Sequence, residues 1–104
     1  MANQYSLDDF APHLRTRFGV LQHENHELEL MEVSDKSNAQ LEQFSLIFTG
    51  VSSPWLPQGT YKLNHQEMGE FELFLVPVGL SAAGMQYQAV FSRLIGGPRK
   101  SALV

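Results

Sequence analysis

Two histidines three residues apart, His23 and His26, come closest in this chain to the type and spacing of metal ligands. On a regular strand, side chains three positions apart point to opposite faces and could not share an ion. If Glu24-Asn25 is instead a two-residue turn, the two imidazoles face each other across a hairpin, with an adjacent glutamate available. No third ligand can be identified, and His65 is merely available. We therefore predict an exposed polar turn and no metal site, with His23 and His26 as the weak candidates.

Hydroxyl and carboxylate side chains indicate no catalytic site. Ser52-Ser53 lies before a proline without the Gly-x-Ser-x-Gly elbow, and no Asp–His pair is placed to activate it. Glu70 and Glu72 share one face of a strand, and no nearby residue pattern predicts the raised pKa that an acid catalyst needs. The glycines at 96–97 lack the strand–helix setting of a phosphate-binding loop. We predict that the protein is not an enzyme and needs no cofactor.

The single tryptophan, Trp55, lies between Pro54 and Pro57 in a loop that the prolines stiffen. Such a side chain can be presented as an aromatic anchor for a protein partner. It can equally fold down and close one end of a barrel, where its ring contributes apolar area and its N–H finds a carbonyl. Both readings stay open at this point.

Composition limits the remaining functions. The chain has 104 residues, which suits one domain, and a net charge of −4, which disfavours binding to nucleic acid phosphates. There is no cysteine, so disulfides and thiol chemistry are excluded. The start of the chain does not resemble a signal peptide, and no apolar run is long enough for a membrane span. We expect a soluble cytoplasmic protein that binds neither membrane nor nucleic acid.

The N-terminal block, residues 6–18, predicts a short helix. A cap at Ser6 would place Pro12 in the helix interior, so we predict a later start, capped by Asp8-Asp9. Phe10 and Leu14 would then face inward together.

From residue 17 onward the apolar period is two, which is typical of strands. Residues 26–33 predict a half-buried, edge-like strand. Short antiparallel connections and a single helix predict a mostly β fold, a six-stranded antiparallel small barrel or sandwich with one short N-terminal helix. We assign residues 1–95 to one β domain and 96–104 to a flexible C-terminal tail. The predicted strands are 17–23, 26–33, 43–49, 60–65, 69–78 and 85–94. The predicted core contains Phe18, Val20, Leu28, Leu30, Phe44, Leu46, Phe48, Tyr61, Leu63, Phe71, Leu73, Leu75, Tyr87, Ala89 and Phe91.

The strand at 69–78 is apolar on both faces for part of its length. Opposite its core face it carries Phe74, Val76 and Val78, and other strands add Met31, Ile47 and Val90 at outward positions. An exposed patch of this kind is unusual for a monomer. Three covers are possible: the helix through Phe10 and Leu14, the loop with Trp55 and Leu56, or another protein chain. Packing of layers in pairs favours the helix. If a partner covers the patch, we expect its contacts at Trp55, Phe74, Val76 and Ile47.

Several segments in chain order resemble a known family. They are LDDF at 7–10, FSLIFTG at 44–50, LPQGTY at 56–61, LFLVPVG at 73–79 and YQAVF at 87–91. Together they resemble a bacterial domain-of-unknown-function family of small stand-alone β proteins, over residues 6–92. Its members often lie beside genes for phage-tail-collar-like proteins, so the resemblance implies a structural or accessory role. It implies no catalytic residue, because the shared positions are turn and core residues.

We therefore predict a non-enzymatic small β domain that acts as an interaction or assembly accessory, in the phage-tail-like setting that the resemblance implies. We expect a protein partner or self-association. The alternative function is a barrel that binds a small apolar ligand among its aromatic side chains.

Overall fold

A computed structural model describes residues 5–21, 23 and 26–94. Six antiparallel strands close into one barrel in the order β1-β2-β3-β6-β5-β4, preceded by a short helix and a 3₁₀ turn. The mostly β class is confirmed, and of the two predicted architectures the sheet adopts the barrel. No helix of the described segments is long and apolar enough to cross a bilayer. The elements are α1 (Leu7–Phe10), the 3₁₀ turn (Ala11–His13), β1 (Arg17–Val20), β2 (Glu27–Asp35), β3 (Leu41–Gly50), β4 (Gly59–His65), β5 (Gly69–Ser81) and β6 (Gly84–Leu94).

The core forms because alternate side chains of every strand point into the barrel. Leu30 lies opposite Phe48, and Phe48 lies opposite Tyr87, so one inward layer crosses three strands. All predicted core residues are buried except Phe91, which is half-buried and packs against the core. Three further side chains complete the core, Phe10, Leu56 and Met85.

Closure of the barrel corrects the prediction of an edge-like strand at 26–33. This segment, β2, pairs with β1 on one side and with β3 on the other. β1 in turn pairs with β4, so every strand of the barrel has two neighbours. The alternating glutamates of β2 therefore indicate a solvated outer face and not an open edge. A register shift between Leu30 and Glu32 marks a bulge, which bends the strand as closure requires.

The N-terminal helix starts earlier than predicted. Ser6 is its N-cap, and the Ser6 N–H donates to the Asp9 carboxylate at 2.8 Å. Pro12 does not break this helix, because α1 ends at Phe10 and the proline lies in the separate 3₁₀ turn. Only Phe10 of the predicted inward pair is buried; Leu14 is 41% exposed because the chain turns after His13.

The two ends of the barrel differ. The helix end carries α1, the 3₁₀ turn and the turn 66–68. The loop end carries His23 and His26 between β1 and β2, the loop 51–58 and the tip of the β5–β6 hairpin. At the loop end β5 continues past Leu75, its last partner position with β4, and pairs with β6 alone as far as Ser81. The strand therefore extends beyond the predicted end at residue 78. The tip is fixed by Gly84, where φ is +136° and a Cβ would overlap the Gly50 carbonyl oxygen.

Candidate interaction surface

The outer apolar face consists of Ile47, Phe74, Val76 and Val90. Ile47 and Val76 lie on either side of Gln88 in one cross-strand row, and Phe74 and Val90 lie one step further along β5 and β6. Phe74 is 51% exposed and Val90 55% exposed, whereas Ile47 and Val76 are half-buried. Neighbouring strands are separated by about 4.8 Å, so Phe74, Val76 and Val90 lie close together, while Ile47 lies one strand further, beyond Gln88.

The predicted cover by the helix is wrong. Phe10 points into the helix end of the barrel, where its ring lies 5.5–6.2 Å from the rings of Phe44, Phe71 and Phe91. The helix is too short both to fill the barrel end and to cover the outer apolar face, because a single turn of four residues offers one buried side chain. The helix, which we expected to cover the outside of the sheet, therefore closes the barrel at its helix end.

The loop 51–58 does not cover the face either. Leu56 is buried, and its backbone N–H donates to the Tyr87 hydroxyl at 2.8 Å. Burial raises the pKa of Tyr87, while this hydrogen bond acts in the opposite direction. Trp55 remains 48% exposed at the loop end. The reading in which Trp55 closes the barrel is therefore wrong, because Leu56 occupies that place.

The hairpin tip carries two exposed apolar side chains, Val78 and Leu80, of which the sequence analysis had assigned only Val78 to an outer position. Val78 is 50% exposed and lies at the register shift between Pro77 and Gly79. Leu80 is 66% exposed and pairs with Met85, a core residue, so it stands on the core side of the hairpin beyond the loop end. The bulge separates Val78 from the regular alternation that had placed it with Phe74 and Val76. In the sequence, the longer hairpin is indicated by Ala82-Ala83 followed by a glycine, because two residues are enough to connect the strands of a hairpin.

His23 and His26 do face each other, with ring centroids 5.5 Å apart. The His26 Nε2 atom lies 3.0 Å from the Pro54 carbonyl oxygen, which can only accept, so this nitrogen carries a hydrogen and is occupied. His65 lies at the opposite, helix end of the barrel and cannot be a third ligand. Among the described residues, no three His, Cys, Asp or Glu side chains are grouped to hold a metal ion. The role of this pair stays a prediction.

The carboxylates considered for catalysis lie apart in solvent. Glu70 and Glu72 are exposed on the outside of β5, opposite Asn64 and Lys62. Ser52-Ser53 is exposed in the loop 51–58. The glycines at 96–97, like the predicted tail, lie outside the described residues.

Aromatic side chains of the described residues pack against one another inside the barrel. The Phe18 ring lies 5.4 Å from that of Phe48 and 6.0 Å from that of Phe71, both edge-on. Edge-on contacts at this separation are a favourable aromatic packing. The space that a small apolar ligand would need is thus occupied by core rings, and the ligand-binding alternative gains no support.

Comparison with known proteins agrees with this picture of a small domain without an assigned site. A family model described as "Domain of unknown function (DUF6916)" matches residues 5–91. No curated protein matches the chain, and no solved structure matches it. The matched residues run from Tyr5, beside α1, into β6, so they include β1 to β5 and most of β6. The chain belongs to the family of the domain of unknown function DUF6916.

Proposed function

We propose that this protein is a non-enzymatic binding domain that docks a partner protein on the outer apolar face. The observation that carries the proposal is the half exposure of Phe74 and Val90 on adjacent strands, where neither α1 nor the loop 51–58 covers them. Burial of apolar surface contributes about 25 cal/mol per Å², so covering this patch supplies a driving force for association. The cytoplasm is the proposed location, with which a sequence without cysteine is compatible.

The surroundings of the face support a protein partner. Thr60 lies opposite Phe74, Gln88 lies between Ile47 and Val76, and Ser45 lies opposite Val90. Protein–protein interfaces commonly combine apolar contact area with hydrogen-bonding groups, and this face offers both. The chain's charge of −4 disfavours nucleic acid as the partner.

The proposed class of partner rests on the resemblance of the sequence to its family. We propose a component of a phage-tail-like assembly, for which this domain is an accessory. Trp55, exposed at the loop end, is a second candidate contact, separate from the outer apolar face.

The test uses the chain as bait in an extract of its source organism. We expect the double variant Phe74→Glu and Val90→Glu to lose the captured partner, because both charges would be buried in the contact. The matched control is Leu14→Glu, which charges an apolar residue of similar exposure away from the face. Circular dichroism of all three proteins confirms that they fold alike.

Equal capture by the double variant and the control would overturn the proposed surface. Mass spectrometry of the captured protein tests the partner class, since a protein unrelated to tail assembly would overturn that part alone. A Trp55→Ala variant shows separately whether the loop end contributes.

A further inference from the structure

Two histidines lie side by side at the helix end of the barrel. His65 is the last residue of β4, His13 is the last residue of the 3₁₀ turn, and their ring centroids are 4.4 Å apart. They border an open groove of about 300 Å³, which Thr16, Arg17 and Glu67 also line. The two histidines are far apart in the sequence, and nothing in their separate surroundings predicts that they meet.

The hydrogen bonds of His65 require a neutral ring. Its Nδ1 atom accepts the backbone N–H of Glu67 at 3.0 Å and that of Met68 at 3.2 Å, so Nδ1 carries no hydrogen. Its Nε2 atom lies 3.0 Å from the Thr16 hydroxyl, which itself donates to the His13 carbonyl at 2.6 Å. The hydroxyl therefore accepts from Nε2, and the ring has one hydrogen, on Nε2.

The surroundings of His65 oppose a second proton. The ring is 5% exposed and lies 4.5 Å, between centroids, from the ring of Phe18. Burial lowers the pKa of His65, the neighbouring His13 lowers it further, and the Glu67 carboxylate acts weakly in the opposite direction. The charged or titratable groups around the ring are His13 from the 3₁₀ turn, Glu67 from the turn 66–68 and Arg17 from β1, which line the same groove. The Glu67 carboxylate lies 3.7 Å from the His13 Nδ1 atom. Arg17 is itself paired with Glu27 at 3.2 Å.

These contacts hold the N-terminal plug, residues 5–14, against the barrel, whereas Arg15 and Thr16 are fixed to β2 by backbone hydrogen bonds with Leu30. The turn 66–68, whose N–H groups His65 binds, also offers the Met68 carbonyl to the Tyr5 hydroxyl at 3.2 Å. Thr16 connects the opposite side of the ring to the 3₁₀ turn. A proton on Nδ1 would face two N–H donors and would release both. It would also place a positive charge beside His13.

We propose that His65, packed beside His13, is an acid-sensitive latch, whose protonation releases the N-terminal plug from the helix end of a barrel that otherwise stays folded. Release withdraws Phe10 from among Phe44, Phe71 and Phe91 and exposes this aromatic well to solvent or to a binding partner. The latch is independent of the outer apolar face.

The direction of the pH effect follows from linkage. Because the pKa of His65 is lowered in the closed state, the open state takes up the proton more readily. The stabilisation of the closed state is therefore complete above the free-histidine pKa of about 6.5 and is lost as the pH falls below it. With one proton coupled to opening, the opening equilibrium rises by at most about tenfold per pH unit.

The test is amide hydrogen exchange of the whole chain between about pH 7.5 and about pH 5, corrected for the intrinsic rates, since histidine titrates in this window. We expect the protection of the amides in residues 7–14 to decrease as the pH is lowered, by at most about tenfold per pH unit. The amides of β3 and β6 should keep their protection. The matched variant is His65→Asn, whose Oδ1 can accept the same N–H groups in an Asx turn but does not titrate. Its plug should show no such pH dependence.

Protection that is independent of pH in the wild type would overturn the latch, as would equal loss in the plug and in the barrel strands. Should His65→Asn not fold, His13→Gln replaces it, and the pH dependence should weaken because the neighbouring charge is gone. Nitrogen NMR of the wild-type His65 ring gives an independent check. A hydrogen on Nδ1 at neutral pH would contradict the proposed geometry.

Discussion

Truncation of Phe10 tests whether the helix closes the barrel from its end. Phe10 is fully buried, and its ring packs edge-on or tilted against Tyr5, Phe44, Phe71 and Phe91 at 5.5–6.2 Å between centroids. Replacing a buried phenylalanine by alanine costs about 3–5 kcal/mol, because apolar burial is lost and a cavity remains. Four surrounding rings limit collapse of that cavity, so we expect Phe10→Ala to reduce the free energy of unfolding by this amount.

The measurement is urea unfolding followed by circular dichroism, with the free energy extrapolated linearly to water. Leu14→Ala is the matched control, since it shortens an apolar side chain four residues away that is 41% exposed. Surface substitutions of this kind change stability by about 0.5 kcal/mol or less. Phe10→Leu should fall between the two, because it keeps much of the apolar volume.

A loss in Phe10→Ala no larger than that in Leu14→Ala would refute the packing of the helix at the barrel end. It would then favour a helix held elsewhere, such as over Phe74. A separate early transition in Phe10→Ala, followed by a main transition close to that of the wild type, would still support the packing, with the plug unfolding independently.

Two further predictions concern turn glycines at the two ends of the barrel and the loop 51–58. Gly69→Ala should cost about 1–2 kcal/mol of stability from the positive φ of +81° alone, because nothing lies near its Cβ position. Gly84→Ala should cost clearly more, because its Cβ would also meet a backbone carbonyl. Thermal unfolding compares the two variants, and equal losses of stability would contradict the contact at Gly84. Tyr87→Phe should cost about 1–3 kcal/mol, because the buried N–H of Leu56 loses its acceptor; urea unfolding measures this loss, and a neutral effect would show that another group or water replaces the hydroxyl.

The strands and most of the core could be predicted from the sequence because their signals are local. In β5 the alternation of Phe71, Leu73 and Leu75 with polar or outward residues fixes which face is buried, whatever the strand pairs with. The glycines and prolines that bound each segment limit the possible turns in the same way. The outward position of Phe74 and Val76 follows from the same alternation, so the candidate surface was visible in the sequence.

The part of the barrel against which the helix and the loop 51–58 pack could not be predicted, because it depends on contacts between residues far apart in the chain. Leu56, and not its larger neighbour Trp55, closes the loop end because the Tyr87 hydroxyl holds its backbone there. The helix start was misplaced because Pro12 was assigned to α1, whereas it belongs to a separate 3₁₀ turn.

Side-chain alternation needs no knowledge of the partner strands, so it was enough to predict a small β domain with one strand that is apolar on both faces for part of its length. Closure of the barrel, entry of Phe10 at the helix end and exposure of Phe74 and Val90 are visible only in the folded chain. Folding also brings His13 beside His65. The physical reason is that closure and long-range contacts are set by the packing of the whole core, to which each local segment contributes only a part.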